Sequence, residues 1–216
     1  MARLRPRPVA WAALFGSALV LVVAFVERNA GPMGAVDRCL TGTFGVVIPL
    51  VTFVVVFEAS ARTNLAESVW TLARHGLSRR ALALGELLAM TLTSAALAAL
   101  LAILAVVLAG GQKLPAVLGD ALTSAWIGAL TSAAYVGWLA AFATIGRRGE
   151  GRVVPLLVEY AMSGSTLMFA AVFPRVHAVN LLGGPAPLSL PQGASAGFLA
   201  VAAVLLDLIA AVRCGR

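Results

Sequence analysis

The stretch that decides the fold runs from Glu58 to Ala89, EASARTNLAESVWTLARHGLSRRALALGELLA. It lies between two long apolar segments. From Leu65 the apolar residues Leu65, Val69, Leu72 and Ala73 recur at helical spacing, and Ala66 and Trp70 widen the stripe. Asn64, Glu67, Thr71, Arg74 and His75 fall on the other side. Asn64 followed three residues later by Glu67 has the form of an N-terminal capping box. Gly76 supplies a C-terminal stop, because glycine accepts the left-handed conformation that ends helices. The pattern predicts an amphipathic helix over 64–75, a turn, and then a new apolar helix. Such a helix either floats in the headgroup layer as a connector or is presented to a partner in the cytoplasm.

Working outward, the composition sets the class. The chain of 216 residues is 61% hydrophobic and only 12% charged, about half the charge of an ordinary soluble domain. Apolar runs long enough to cross a bilayer recur. They predict a single transmembrane domain with spans over 9–26, 40–57, 81–109, 121–145, 153–173 and 194–212. The first run is read as a retained span, since polar ERNAGPM follows it instead of a cleavage site of small residues. Pro49 inside the second span predicts a kink, or a freed carbonyl that a neighbour satisfies. Gly128/Ser132 and Ala133/Gly137/Ala141 place small residues four apart, which either lets helices approach closely or reflects an alanine-rich composition. The connection at 174–193 is long and partly apolar, which predicts short helices at the outer interface in place of a free loop.

Basic residues orient the chain. With the N-terminus in the cytoplasm, twelve arginines fall inside: Arg3, Arg5, Arg7, Arg62, Arg74, Arg79, Arg80, Arg147, Arg148, Arg152, Arg213 and Arg216. Four basic residues, Arg28, Arg38, Lys113 and Arg175, fall outside. This bias predicts both termini in the cytoplasm of a multi-pass protein of the plasma (inner) membrane. The net charge of +7 follows topology and is no sign of nucleic acid.

Three acids lie within the expected spans: Glu86, Glu159 and Asp207. Each is about 8–10 Å from the inner end at 1.5 Å per residue. They form either an acidic collar at an inner mouth or separate pairs with the arginines Arg79, Arg80, Arg152 and Arg213. Catalytic patterns are weak. His75 and His177 fall on opposite sides, so no metal site is expected. Ser163–Gly164–Ser165 and Gly193–Ala194–Ser195–Ala196–Gly197 put serine beside glycine, but no histidine within the membrane is expected to serve as base. Gly193 and Gly197 are read as a packing motif or a loop end. Cys39 and Cys214 fall on opposite sides and do not pair. No P-loop sequence is present, so the chain is not expected to be an enzyme or to bind ATP in that fashion.

The string ARHGLSRRALALGELLA, residues 73–89, resembles the segment after the second span in permease subunits of ABC-2 type ATP-binding cassette exporters. Ser78, Arg79, Leu84, Gly85, Leu87 and Leu88 match that pattern. Glu86 departs from it, since a basic residue is common there. NLLGGPAPLSLPQGAS, residues 180–195, is more loosely similar to the connection before the last span, and the two regions cover roughly a quarter of the chain. The resemblance implies an all-α integral membrane protein of six transmembrane helices with a cytoplasmic coupling helix between spans two and three. It implies docking of ATPase subunits through Asn64, Leu65, Glu67, Val69, Trp70, Leu72, Arg74, His75 and Gly76. ATP and Mg would sit on the partner ATPase, and a second permease chain would complete the pathway. Leu65, Val69, Trp70 and Leu72 are expected in the membrane interface or in an ATPase groove. Family members commonly begin with an amphipathic helix before span one, whereas eight residues precede the first run here. A non-transporting scaffold, assembly or immunity protein is the alternative.

Overall fold

The computed structural model of the chain describes residues 6–31, 34–60, 63–110, 114–146, 148–162 and 171–215, without the side chains of Pro6, Thr71, Leu72 and 114–116. Among these residues every regular element is helical. Helix α1 spans Pro6–Ala30, α2 Ala35–Gly42, α3 Ile48–Ala59, α4 Leu65–Ala73, α5 Arg79–Gly110, α6 Leu114–Ala143, α7 Val153–Met162, α8 Pro174–Leu181 and α9 Gln192–Cys214. Five stretches are long and apolar enough to cross a bilayer: Arg7–Ala30, Ala35–Ala59, Arg79–Gly110, Val117–Ala143 and Gln192–Cys214. Their surface fits that medium. Trp11, Leu14, Phe15, Phe25, Leu92, Leu100, Val201 and Val204 are all exposed, an apolar exterior far beyond what a water-soluble monomer presents.

The interior is built from small residues. A Cβ added at Gly128 would lie 3.0 Å from the Ala98 carbonyl oxygen, and one at Gly137 would lie 3.1 Å from the Ala203 carbonyl oxygen. The small stripes of α6 are therefore packing surfaces, against α5 on one side and α9 on the other. Ser132 of the same stripe is bonded to Thr52 of α3, oxygen to oxygen at 2.8 Å.

Pro49 has a local consequence different from a kink. Helices α2 and α3 are joined without a break by a π turn over Thr43–Val47, in which the Ile48 N–H reaches back to the Thr43 carbonyl. Proline lacks the N–H that the Gly45 carbonyl would use in an α-helix. The wider turn just before Pro49 shifts the bonding register there.

The ends of the helices sort by charge. Asn64 bonds to Thr144 and Gly146, Arg213 bonds to Ala141 and Thr144, and Gly215 packs on Arg80. The ends of α3, α6 and α9 thus meet the starts of α4 and α5. This end holds Arg74, Arg79, Arg80, Arg148, Arg152 and Arg213. At the other end Arg38 pairs with Glu27 at 2.7 Å.

The segment expected as the fifth span is not one helix. In a continuous helix over 153–173 and beyond, Glu159 and Arg175 would be about 24 Å apart along the axis. Instead the Arg175 N–H donates to Glu159 Oε1 at 3.1 Å. The two residues are therefore not on one continuous helix, and 163–170 lie outside the described residues. From that point α8 runs beside α9 toward the less basic end, where Gln192 Nε2 donates to the Asn180 carbonyl at 3.0 Å. Arg175, expected outside, therefore starts α8 within the bundle. The connection after it does contain short helices, α8 and a 3-10 turn over Pro187–Ser189, but Pro174, His177, Ala178 and Asn180 of α8 are buried. Cys39 and Cys214 are free, buried and at opposite ends.

Candidate functional site

Helix α4 forms where its local chemistry predicts. Asn64 Oδ1 accepts the Ala66 N–H at 2.9 Å, which caps the first turn. Gly76 closes it with φ +86° and an N–H bonded to the Ala73 carbonyl at 3.1 Å. A Cβ at Gly76 would meet nothing, so conformation alone calls for glycine there. The apolar stripe divides between the bundle and the outer face. Leu65 and Val69 are buried in the bundle with Val56, Ala59, Ala83, Leu87 and Leu139. What α4 presents outward is Glu67, Trp70, Arg74 and His75, all exposed. Trp70 is 42% exposed, and the Arg79 guanidinium lies 3.9 Å from its ring centroid. The Leu72 side chain lies outside the described residues.

The anchor beneath α4 is Arg152, which the sequence offered as a partner for one of the acids. Arg152 is 1% exposed. Its Nε donates to the Gly149 carbonyl at 2.7 Å, Nη1 to Ser60 Oγ at 2.6 Å, and Nη2 to the Thr63 carbonyl and to the Arg148 carbonyl at 2.8 Å. Its carbon Cζ stands 5.1 Å from the Phe57 ring centroid. The guanidinium thus binds the loop before α4 to the loop before α7, close to the C-terminal ends of α3 and α6, where carbonyl dipoles favour a cation. Burial pulls its pKa below the ordinary arginine value, and it still remains charged. Gly149 makes room: its φ is +66°, and a Cβ there would collide with Arg152 and crowd the Thr63 carbonyl oxygen at 2.9 Å. Glu150 is exposed. Backbone N–H groups, including that of Arg148 at 3.1 Å, hold its carboxyl below the usual value.

The three acids do not form one collar. Glu159 is 4% exposed and accepts from the Tyr135 hydroxyl at 2.7 Å and from the Arg175 N–H. Its partner is not Arg152. Asp207 takes a long bond of 3.5 Å from Thr91 of α5. Glu86, also on α5, is buried. Tyr135 faces Glu159 while Gly137 faces α9; two residues on a helix turn about 200°, so α6 stands between Glu159 and the α5–α9 seam that holds Asp207.

A histidine does reach a serine. His177 Nε2 is 2.7 Å from the Ala171 carbonyl and Nδ1 is 3.0 Å from Ser195 Oγ. A carbonyl only accepts, so Nε2 carries the proton and Nδ1 accepts from the hydroxyl. Asn180 Nδ2 donates to the same Ser195 Oγ at 2.9 Å and to the Leu190 carbonyl at 3.0 Å. The His177 ring stacks on Phe198 at 4.0 Å. Ser195 and His177 are both wholly buried, and their bond ties α8 to α9. Gly193 and Gly197 meet no neighbouring atoms among the described residues of the chain, and Gly193 lies in the first turn of α9. The serines at 163 and 165 lie outside the described residues. Among the described residues no group of three or more His, Cys, Asp or Glu could hold a metal ion. No protein-family model, curated protein or solved structure matches the chain.

Proposed function

We propose that the chain is the transmembrane permease subunit of an ATP-driven exporter of the ABC-2 type, coupled through α4 to separate ATPase subunits. The observation that carries this reading is the mounting of α4. Its inner face, Leu65 and Val69, is fixed in the bundle, Asn64 and Arg152 fix its base, and its outer face offers Trp70 among exposed charges. A helix that only floated in headgroups would bury its apolar stripe in lipid. A helix that transmits force needs a rigid mount on one side and a free polar and aromatic face on the other. In this reading α7 and α8 together make one broken crossing, which gives six crossings with both termini in the cytoplasm by the excess of arginine at the α4 end. Two ATPases, which bind ATP and Mg, dock on α4, and a second permease chain completes the pathway in the plasma membrane.

The test is affinity purification of the tagged chain in mild detergent, with mass spectrometry of what accompanies it. A stoichiometric P-loop ATPase that is lost on Trp70→Asp is the expected result. Recovery of a well-folded chain without any ATPase overturns the reading.

A further inference from the structure

One buried cluster holds α8 to the first turn of α9, and its bonds fix a protonation state. His177, Asn180 and Ser195 are all buried. The Ala171 carbonyl can only accept, so it takes the His177 Nε2–H at 2.7 Å. Ser195 Oγ accepts an Asn180 Nδ2–H at 2.9 Å and gives its own hydrogen to His177 Nδ1, 3.0 Å away. The ring is therefore the neutral imidazole, with one donor and one acceptor. Phe198 of α9 covers its face at 4.0 Å. Asn180 extends the tie to the Leu190 carbonyl and, through its own carbonyl, to Gln192.

A second proton on the ring reverses one of these bonds. Nδ1 becomes a donor aimed at Ser195 Oγ, and the hydroxyl hydrogen loses its acceptor. The imidazolium would also need a counter-charge, since a buried unpaired cation is costly. The elements packed around it supply none among the described residues. On α8 the other ionisable group is Arg175, itself a cation, whose guanidinium lies by Gly45 of the π turn while His177 turns to α9. On α7, Glu159 has one oxygen on the Tyr135 hydroxyl of α6 and the other on the Arg175 N–H, and Tyr160 is a phenol. The acid of α6, Asp120, is exposed near the start of that helix. Helix α9 has no ionisable residue before Asp207, about 18 Å beyond Ser195 at 1.5 Å per residue. The π turn and the stretches 163–173 and 182–191 contain none.

Separation of α8 from α9 would remove this penalty. In water the imidazole takes up a proton with its ordinary midpoint of about 6.5. The proton thus favours the open arrangement, and neutral pH favours the sealed one. What the cluster adds to closure is complete above about pH 6.5 and is lost as pH falls below it.

We propose that His177, Ser195 and Asn180 form an acid-released latch: protonation of His177 frees α8 from the start of α9 and opens the less basic end of the bundle. The latch does not depend on the permease reading, and its test needs no ATPase.

The full chain in neutral detergent is followed by hydrogen–deuterium exchange and mass spectrometry at about pH 7.5 and about pH 5, each rate divided by the intrinsic rate at that pH. Protection across 174–195 should fall at the lower pH by up to roughly thirtyfold, the limit set by an ordinary histidine about 1.5 units above it. Protection in α3 should not change. His177→Gln, which keeps polar contacts without titrating, should show equal protection at both values. Asn180→Asp sets a carboxylate on the same serine oxygen and should cancel or reverse the fall. Equal protection of the parent chain at the two pH values overturns the latch. So does a fall that persists in His177→Gln, or one that extends equally to α3. If His177→Gln does not fold, a fall that persists in Asn180→Asp overturns it instead.

Discussion

Arg152→Lys separates charge from geometry at the base of α4. Lysine keeps the positive charge but carries its three donors on one nitrogen. The acceptors it would have to serve are spread around three nitrogens of the arginine: the Gly149 carbonyl at Nε, Ser60 Oγ at Nη1, and the Thr63 and Arg148 carbonyls at Nη2. An ammonium at one point leaves at least two of these acceptors without a donor. Each charge-assisted bond of this kind contributes about 1.5–3 kcal/mol net, so the loss is about 3 kcal/mol or more. For a chain of this length that lowers the midpoint of thermal unfolding by about 6–12 °C, at ~2–4 °C per kcal/mol. Unfolding in mild detergent, followed by tryptophan fluorescence, reads the shift. Arg152→Met, which removes the buried charge together with its bonds, should be no worse than lysine, because a buried ion short of partners costs more than none. A lysine variant within ~2 °C of the parent, against the 6–12 °C expected from those bonds, would show that the two loops are held by something other than the guanidinium fork.

Three further outcomes can be checked on the same preparation. Gly76→Ala should cost about 1–2 kcal/mol from the left-handed conformation alone, and Gly76→Asn clearly less, since the site has open space; their unfolding midpoints decide. Ser195→Ala strips a partner from both His177 and Asn180 and should cost about 1–3 kcal/mol, while Ser189→Ala, on the exposed turn, should be silent. The Glu150 carboxyl is held below its ordinary value of 4.5, so what it adds to stability is present above that pH and lost as pH falls through the depressed value. Glu150→Gln should therefore abolish that part of the acid dependence in a series of midpoints from neutral to acid pH.

Local chemistry was legible in the sequence and long-range partnership was not. Asn64 and Gly76 mark the ends of α4 because capping and left-handed stops are settled within a few residues. Five long apolar helices follow from hydropathy because a bilayer-length run has few alternatives. The stripe of Leu65 and Val69 said that one face would be covered, but not that the cover is the bundle itself. Hydropathy also joined 153–173 into one span, since it counts apolar residues and cannot see that Glu159 binds the start of α8. Arg152 gave no signal because its acceptors are mostly carbonyls, which every residue type carries. His177 and Ser195 are eighteen residues apart in separate helices, and no spacing rule joins such a pair.

The arrangement of α8 also bears on how the chain is made. Several of its polar groups find partners in residues that follow it: the Asn180 and His177 side chains in Ser195, and the Asn180 carbonyl in Gln192. These lie at the start of α9, the last helix described. During synthesis, α1 to α7 are complete while α8 has Glu159 and Ala171 to bond with but not yet Ser195 or Gln192. A ribosome-bound intermediate stopped before Gln192 therefore holds an unsealed bundle, and the arrival of the C-terminal helix is the step that closes it. Deletion of α9 should expose the remaining chain to membrane quality-control proteases even though every earlier helix is intact.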